Sequence, residues 1–218
     1  MHHFKKAIYG IVFICFSTAF AGSYEDFFTA ITRSDVGTIK QLLARGFDPN
    51  TPDPQGRHPL FLALLDPSPP VAEALLDSAA INVNVLNPQG ESPLMMAALK
   101  GEIALARRLI QRDADVNKTG WTPLHYAATS GHVQIIALLL ENHAYIDAES
   151  PNGTTPLMMA ARYGTTEAVK LLLDEGAEPG LKNQLGLTPM DFAGDGNRPD
   201  AIALIKAALR KRAGNSKW

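Results

Sequence analysis

Thr122-Pro123-Leu124-His125-Tyr126-Ala127-Ala128-Thr129-Ser130-Gly131-His132 leads, through Ile135-Ile136-Ala137-Leu138-Leu139-Leu140, to Asp147. This stretch reads as helix, break, helix. A threonine hydroxyl at position 122 can accept a bond from a free N–H of the first helical turn. Pro123 lacks an N–H where none is needed, and its φ is preset for a helix. Leu124, Ala127 and Ala128 make the inner face of a short first helix, and the small alanines let a neighbour approach closely. Gly131 allows the left-handed backbone that ends it, and Gly164 is assigned the same role. The second helix is apolar over a wide arc, as a helix covered from both sides must be.

The pattern recurs along the chain. His58-Pro59-Leu60, Ser92-Pro93-Leu94, Thr155-Pro156-Leu157 and Thr188-Pro189-Met190 align with Thr122-Pro123-Leu124, so successive prolines are 34, 30, 33 and 33 residues apart. Gly56, Gly90, Gly120, Gly153 and Gly186 each stand three residues before one of these prolines. Ser92, Thr155 and Thr188 are expected to cap helices as Thr122 does. Gly176-Ala177, Ala79-Ala80, Asp113-Ala114 and His143-Ala144 turn the chain out of each second helix. No such unit can bury its faces alone, so the units must stack into a solenoid stabilised by neighbouring pairs.

The repeat resembles the ankyrin repeat, a unit of two antiparallel helices and a β-hairpin-like finger. The resemblance covers residues 24–212 and implies an all-α solenoid with short fingers, about six units including caps. The expected boundaries are 24–55, 56–88, 89–118, 119–151, 152–184 and 185–212, in a single domain followed by a tail at 213–218. The end units lack parts of the motif, as caps should. Two amphipathic helices are expected in the first, from Tyr24 to about Thr32 and from Val36 to Arg45. Three irregularities stand out. Pro67-Ser68-Pro69-Pro70 predicts a rigid loop, with an extra residue near Ile81–Asn84. The spacing of 30 predicts a finger shortened by about three residues at Val116-Asn117-Lys118-Thr119. Gly194-Asp195-Gly196-Asn197 is expected to loosen the last unit.

The N-terminus carries its own signal. Lys5-Lys6, an apolar run from Ala7 to Phe20 and the small-x-small site Ala19-Phe20-Ala21 describe a secretory signal peptide over residues 1–21. Cleavage would remove Cys15, the only cysteine, and leave 20 − 2 = 18 basic against 22 acidic residues, a charge of −4. A chain so balanced has no global charge that favours nucleic acid or an anionic membrane. The expected address is the periplasm, or the medium if the cell has one membrane, with no stable membrane insertion after cleavage. A thiol-free chain needs no oxidative folding.

Chemistry-bearing motifs are sparse. The spacing of His58, His125, His132 and His143 puts no two on one helical face as metal ligands require. The resemblance makes His125 and His132 structural. Met95-Met96 and Met158-Met159 read as core packing: one of each pair in the core, the other in the place of the motif histidine. Asp113, Asp115 and Asp147 read as solvated turn residues, and Arg210-Lys211-Arg212 as a helix C-terminus matched to its dipole. No nucleophile elbow or phosphate loop appears, so the chain is expected to be non-catalytic and without cofactor or metal.

The resemblance places partner contacts on the concave face and finger tips. By motif these positions are Arg57, Glu91, Trp121 and Thr154 beside the Thr-Pro sites. At the ends of the first helices they are Leu65-Asp66, Leu99-Lys100, Thr129-Ser130 and Arg162-Tyr163. Arg57, Glu91, Lys100, Trp121, Thr129, Arg162 and Tyr163 are the candidate protein-binding residues, since Trp, Tyr and Arg dominate binding hot spots. A monomeric module that binds another protein in the bacterial envelope is the leading expectation. An immunity protein or inhibitor for a toxin, a host-directed effector and an enzyme with an unrecognised site are the alternatives. Intact-mass measurement of the protein recovered from a Gram-negative periplasm should show a chain that begins at Gly22. A full-length mass there would refute the cleavage site.

Overall fold

A computed structural model describes residues 22–65 and 69–215. The leader segment, and Asp66 with Pro67-Ser68, lie outside the described residues. Among the described residues there are twelve helices and no strand. They are α1 (22–32), α2 (Val36–Ala44), α3 (Pro59–Leu65), α4 (Pro69–Leu76), α5 (Pro93–Lys100) and α6 (Ile103–Gln111). The series continues with α7 (Pro123–Ser130), α8 (Val133–Glu141), α9 (Pro156–Tyr163), α10 (Thr166–Asp174), α11 (Pro189–Asp195) and α12 (Pro199–Asn215). This is the all-α repeat architecture that the sequence implies.

The chain divides into two compact units, one ending at Asn82 and one beginning at Val83. In the first, α2 and α3 pack on α4, and Phe27, Ile39, Leu60 and Leu75 are fully buried. In the second, the first helices α5, α7, α9 and α11 pack side by side, and α6, α8, α10 and α12 form a second row behind them.

Each first helix begins as its sequence dictates. The side chains of Ser92, Thr122, Thr155 and Thr188 accept from the N–H of the third helical residue, and proline follows each cap. The third residue answers with its own side chain. Nδ1 of His125 accepts from the Thr122 N–H at 3.2 Å, and its Nε2–H donates to the Thr154 carbonyl at 2.9 Å. Met95 and Met158 hold the same position, and their sulfurs accept from Ser92 and Thr155 N–H groups at 3.3 and 3.4 Å. The methionine in the histidine's place is therefore also the fully buried one, and the division of labour expected for each pair is corrected. Met96 is also in the core, at 9% exposed, and Met159 is half-buried.

Between successive units an asparagine bridges the fingers. Asn50 Oδ1 accepts from Asn82 N–H at 2.7 Å while its Nδ2 donates to the Ala80 carbonyl at 2.8 Å. Asn84 makes the same pair with Asp115 N–H and the Asp113 carbonyl, and Asn117 with Tyr145 N–H and the His143 carbonyl. At the next rung Asp147 can only accept, and both its oxygens take the Glu178 N–H at 3.0 and 3.2 Å. The missing donor comes from α12: Arg212 donates to the Gly176 and Ala177 carbonyls at 3.0 and 3.1 Å and pairs with Glu178. Arg212 thus caps a finger of the preceding repeat. Asp147 is half-buried, not solvated as the sequence suggests; burial, with the Glu178 charge, pushes its carboxyl above the usual range.

The irregular places resolve physically. Pro69 and Pro70 open α4 instead of extending a loop, because the first turn of a helix needs no N–H donors. The extra residue of that repeat lies at Asp77–Ala80, between α4 and buried Ile81, a few positions before Ile81–Asn84. Three of the other fingers close on an Asx-type turn at Asp53, Asn87 and Asn183, as where Asn87 Oδ1 accepts from Gln89 and Glu91 N–H, and another closes on Ser150, whose Oγ accepts from Thr154 N–H. The finger at Val116–Thr119 has no room for such a turn, in accord with the three missing residues.

Gly131 is left-handed as expected, with φ +71, but Gly164 is not, with φ −77. Space explains Gly164: a Cβ there would lie 2.4 Å from the Ala128 carbonyl oxygen and 2.9 Å from Ala160 Cα. Gly196 is held likewise, since a Cβ there would lie 2.5 Å from the Arg162 carbonyl oxygen, so this glycine permits close packing, whereas Gly194 has open space around it.

Two outcomes follow. Gly164→Ala should destabilise the fold by roughly 1–3 kcal/mol in urea melts through collision with backbone. Gly46→Ala should cost less, because Gly46 has φ +89 but open space around it. Burial depresses His58 and His125 to about 4, so both stay neutral in the folded state. The unfolded chain takes up their protons first, so stability is full above pH 6.5 and falls towards pH 4. The loss is up to about 3 kcal/mol per histidine. His125→Met, which copies Met95 and Met158, should remove about half of that slope in denaturant titrations at pH 7.5 and 5; an unchanged slope would refute the assignment.

Candidate partner-binding face

The fourth residues of α5, α7, α9 and α11 are Met96, Tyr126, Met159 and Phe192; Tyr126 and Met159 are half-buried, while Met96 and Phe192 belong to the core. Tyr126 reaches back one repeat, and its hydroxyl donates to Glu91 Oε1 at 2.8 Å. Asn87 Nδ2 donates to the other Glu91 oxygen at 2.7 Å. Burial and the Glu91 carboxylate push the Tyr126 phenol far above its ordinary range, so it remains a donor at any physiological pH.

The candidates from the sequence fall into different situations. Glu91 is fixed by these two bonds. Trp121 is half-buried, edge-on to His125 with ring centroids 5.2 Å apart. Thr129 is half-buried and donates to the His125 carbonyl at 2.7 Å, and Lys100 is half-buried at the end of α5. Arg162 is partly covered, 3.4 Å from an Asp195 oxygen and with its guanidinium 5.1 Å from the centre of the Tyr163 ring. Tyr163 itself is 54% exposed. Thr154 is buried, and Leu99 is half-buried, not an exposed apolar residue. Glu91, Lys100, Trp121, Thr129, Arg162 and Tyr163 all belong to the second unit.

Arg57 belongs to the first unit and has a different setting. Its Nε donates to Asp53 Oδ2 at 2.6 Å, and Nη2 lies 2.6 Å from the same oxygen. Burial opposes the Asp53 charge, but the Arg57 N–H and guanidinium outweigh it and hold the carboxyl below its usual range. Beside this pair lies an open pocket of about 380 Å³, floored by Phe28, Ile31, Leu62 and Ala63.

Sequence reasoning passed over Tyr126, Met159 and Leu185. Leu185 sits at a finger tip and is 76% exposed. Its signal is an apolar residue where the equivalent turns carry Gln55, Gln89 and Asn152. Tyr126 was legible only as the residue beside the motif histidine; nothing along the chain announces a bond to Glu91, 35 positions away. Among the described residues no group of three histidines, cysteines or acids is placed to hold a metal, and no helix is long and apolar enough to cross a membrane.

Comparison with known proteins agrees with the helical repeat. One family model, described as ankyrin repeats in three copies, matches residues 68–150; another, described as ankyrin repeats in many copies, matches residues 139–193. Together they span more than half of the chain. YahD of Escherichia coli (strain K12), named as an ankyrin repeat protein, is 30% identical over 130 residues, 58% of this chain and 64% of its own length. The ankyrin repeat and SAM domain-containing protein 6 of Rattus norvegicus is 30% identical over 109 residues, 48% of this chain and 12% of that protein. The ankyrin repeat protein nuc-2 of Neurospora crassa is 31% identical over 111 residues, 50% and 10% of the two chains. The chain thus covers less than two thirds of each of these relatives.

Proposed function

Because this chain belongs to the ankyrin-repeat proteins, we propose that it is an exported, non-catalytic module that grips one partner protein through the first-helix face of its second unit. Ankyrin repeats are protein–protein interaction modules, and the second unit supplies the features such a module needs. The observation that carries the choice of face is the half-buried pair Tyr126 and Met159, flanked by Trp121 and by the Arg162–Tyr163 contact. Trp121, Tyr126, Arg162 and Tyr163 are of hot-spot type, and the last three are mounted on helices. Tyr126, Arg162 and Trp121 are held by neighbours, so little conformational freedom is lost when a partner arrives. Export rests on Lys5-Lys6, the apolar run and the Ala19-Phe20-Ala21 site.

Tagged protein in the periplasm, isolated with its bound material and compared with Trp121→Ala/Arg162→Ala/Tyr163→Ala, tests the reading. One protein should be recovered with the wild type and depleted at least about tenfold with the variant, a difference of about 1.4 kcal/mol or more. The variant should melt as the wild type does. Equal recovery by both would move the contact away from this face.

A further inference from the structure

Behind the first-helix layer, α8 and α10 pack against each other. The outward residues of α8 are unusual for a solvent-facing helix: Val133, Ala137 and Leu140 are only half-buried, and no charge appears before Glu141. A groove of about 190 Å³ runs between the two helices, walled by Ala137, Leu140 and Leu171, with Glu141 and Glu175 on its rims. Both carboxylates are exposed and stand at helix C-termini: Glu141 is the last residue of α8, and Glu175 caps α10. Neither helix has a basic residue in its last turn. A helix C-terminus carries partial negative charge, so an acid there is repelled where a cation would be attracted. α6 has the ordinary arrangement, with Arg108 in its last turn and Arg112 at its cap. Lys170 of α10 sits a turn back and is paired with Asp174.

We propose that this groove docks a basic amphipathic segment of a partner protein. An apolar side chain of the segment lies on Ala137, Leu140 and Leu171, and a lysine or arginine sits between Glu141 and Glu175. The occupant follows from charge complementarity. Two carboxylates and the C-terminus of α8 point negative potential at an apolar slot, while the end of α10 is already met by Arg212 at the Gly176 and Ala177 carbonyls. A cation carried on an apolar stem satisfies both parts. The groove is on the opposite row of helices from the first-helix face, so either reading can fail without the other.

The probe is a labelled helical peptide of about 16 residues with leucines on one side and lysines flanking them, followed by fluorescence anisotropy. It should bind the purified protein, more weakly as salt rises from about 0.05 M to about 0.5 M. Glu141→Gln/Glu175→Gln should weaken binding at least about tenfold. The same variant, without peptide, should melt no lower than the wild type. Replacing the exposed pair Glu25 and Asp26 by Gln and Asn should change nothing. Any of five results would overturn the proposal: no binding of the lysine peptide, equal binding of a version with glutamates for lysines, equal binding by the Glu141/Glu175 variant, a lower melting temperature for that variant, or an equal loss in the Glu25/Asp26 variant. Self-association abolished by Glu141→Gln/Glu175→Gln would replace the partner with a second copy and also overturn it.

Discussion

An asparagine amide that donates and accepts at once fixes the distance between successive fingers. Each of these fingers leaves its helix with an N–H and a carbonyl turned towards the preceding repeat. Asn50, Asn84 and Asn117 answer both with one planar group. The helices behind must then stack in the same register, because a shift of an ångström would break two bonds at every rung. Carbonyls at the ends of the first helices are met similarly: Leu99 accepts from Ser130 Oγ at 2.9 Å and from His132 Nε2 at 3.1 Å. Among the described residues no buried side-chain nitrogen or oxygen lacks a partner.

Local features were legible because their causes are local. A threonine, a proline and the N–H three residues ahead lie within one turn, so the caps at Thr122, Thr155 and Thr188 could be read directly, as could the shortened finger from spacing alone. Gly164 was misread because a glycine has two uses, positive φ and lack of bulk, and only the position of Ala128 tells them apart. Met158 was misread for a related reason. A sulfur can accept a bond and fill a core at the same site, which a pattern of apolar and polar letters does not express. Pro69 and Pro70 look like helix breakers in sequence but become helix starters once the chain has turned.

The candidate face was legible by position and less so by state. Aligning the repeats located Glu91, Trp121, Arg162 and Tyr163 at the layer's open side, but their commitments came only from the fold. Glu91 is spent on Tyr126 and Asn87, whereas Tyr163 remains mostly open. The contrast matters for recognition. The first-helix face combines the two states, with Tyr126 and Trp121 held by neighbours and Tyr163 mostly exposed. The groove behind differs again, since its character is electrostatic and arises from helix ends more than from any motif.

The acidic rung at Asp147 also bears on how such a protein can change length over evolutionary time. Tandem duplication copies a repeat together with its connector to the next. A copy of the repeat that carries Asn117 brings both a donor and an acceptor, so it can be inserted and still hold whatever follows. A copy of the repeat that carries Asp147 brings acceptors only, and the extra junction it creates leaves a carbonyl without a donor, because Arg212 can serve one junction alone. Growth by internal copying therefore costs less at the Asn117 repeat than at the Asp147 repeat. One oxygen in place of an amide nitrogen makes the difference.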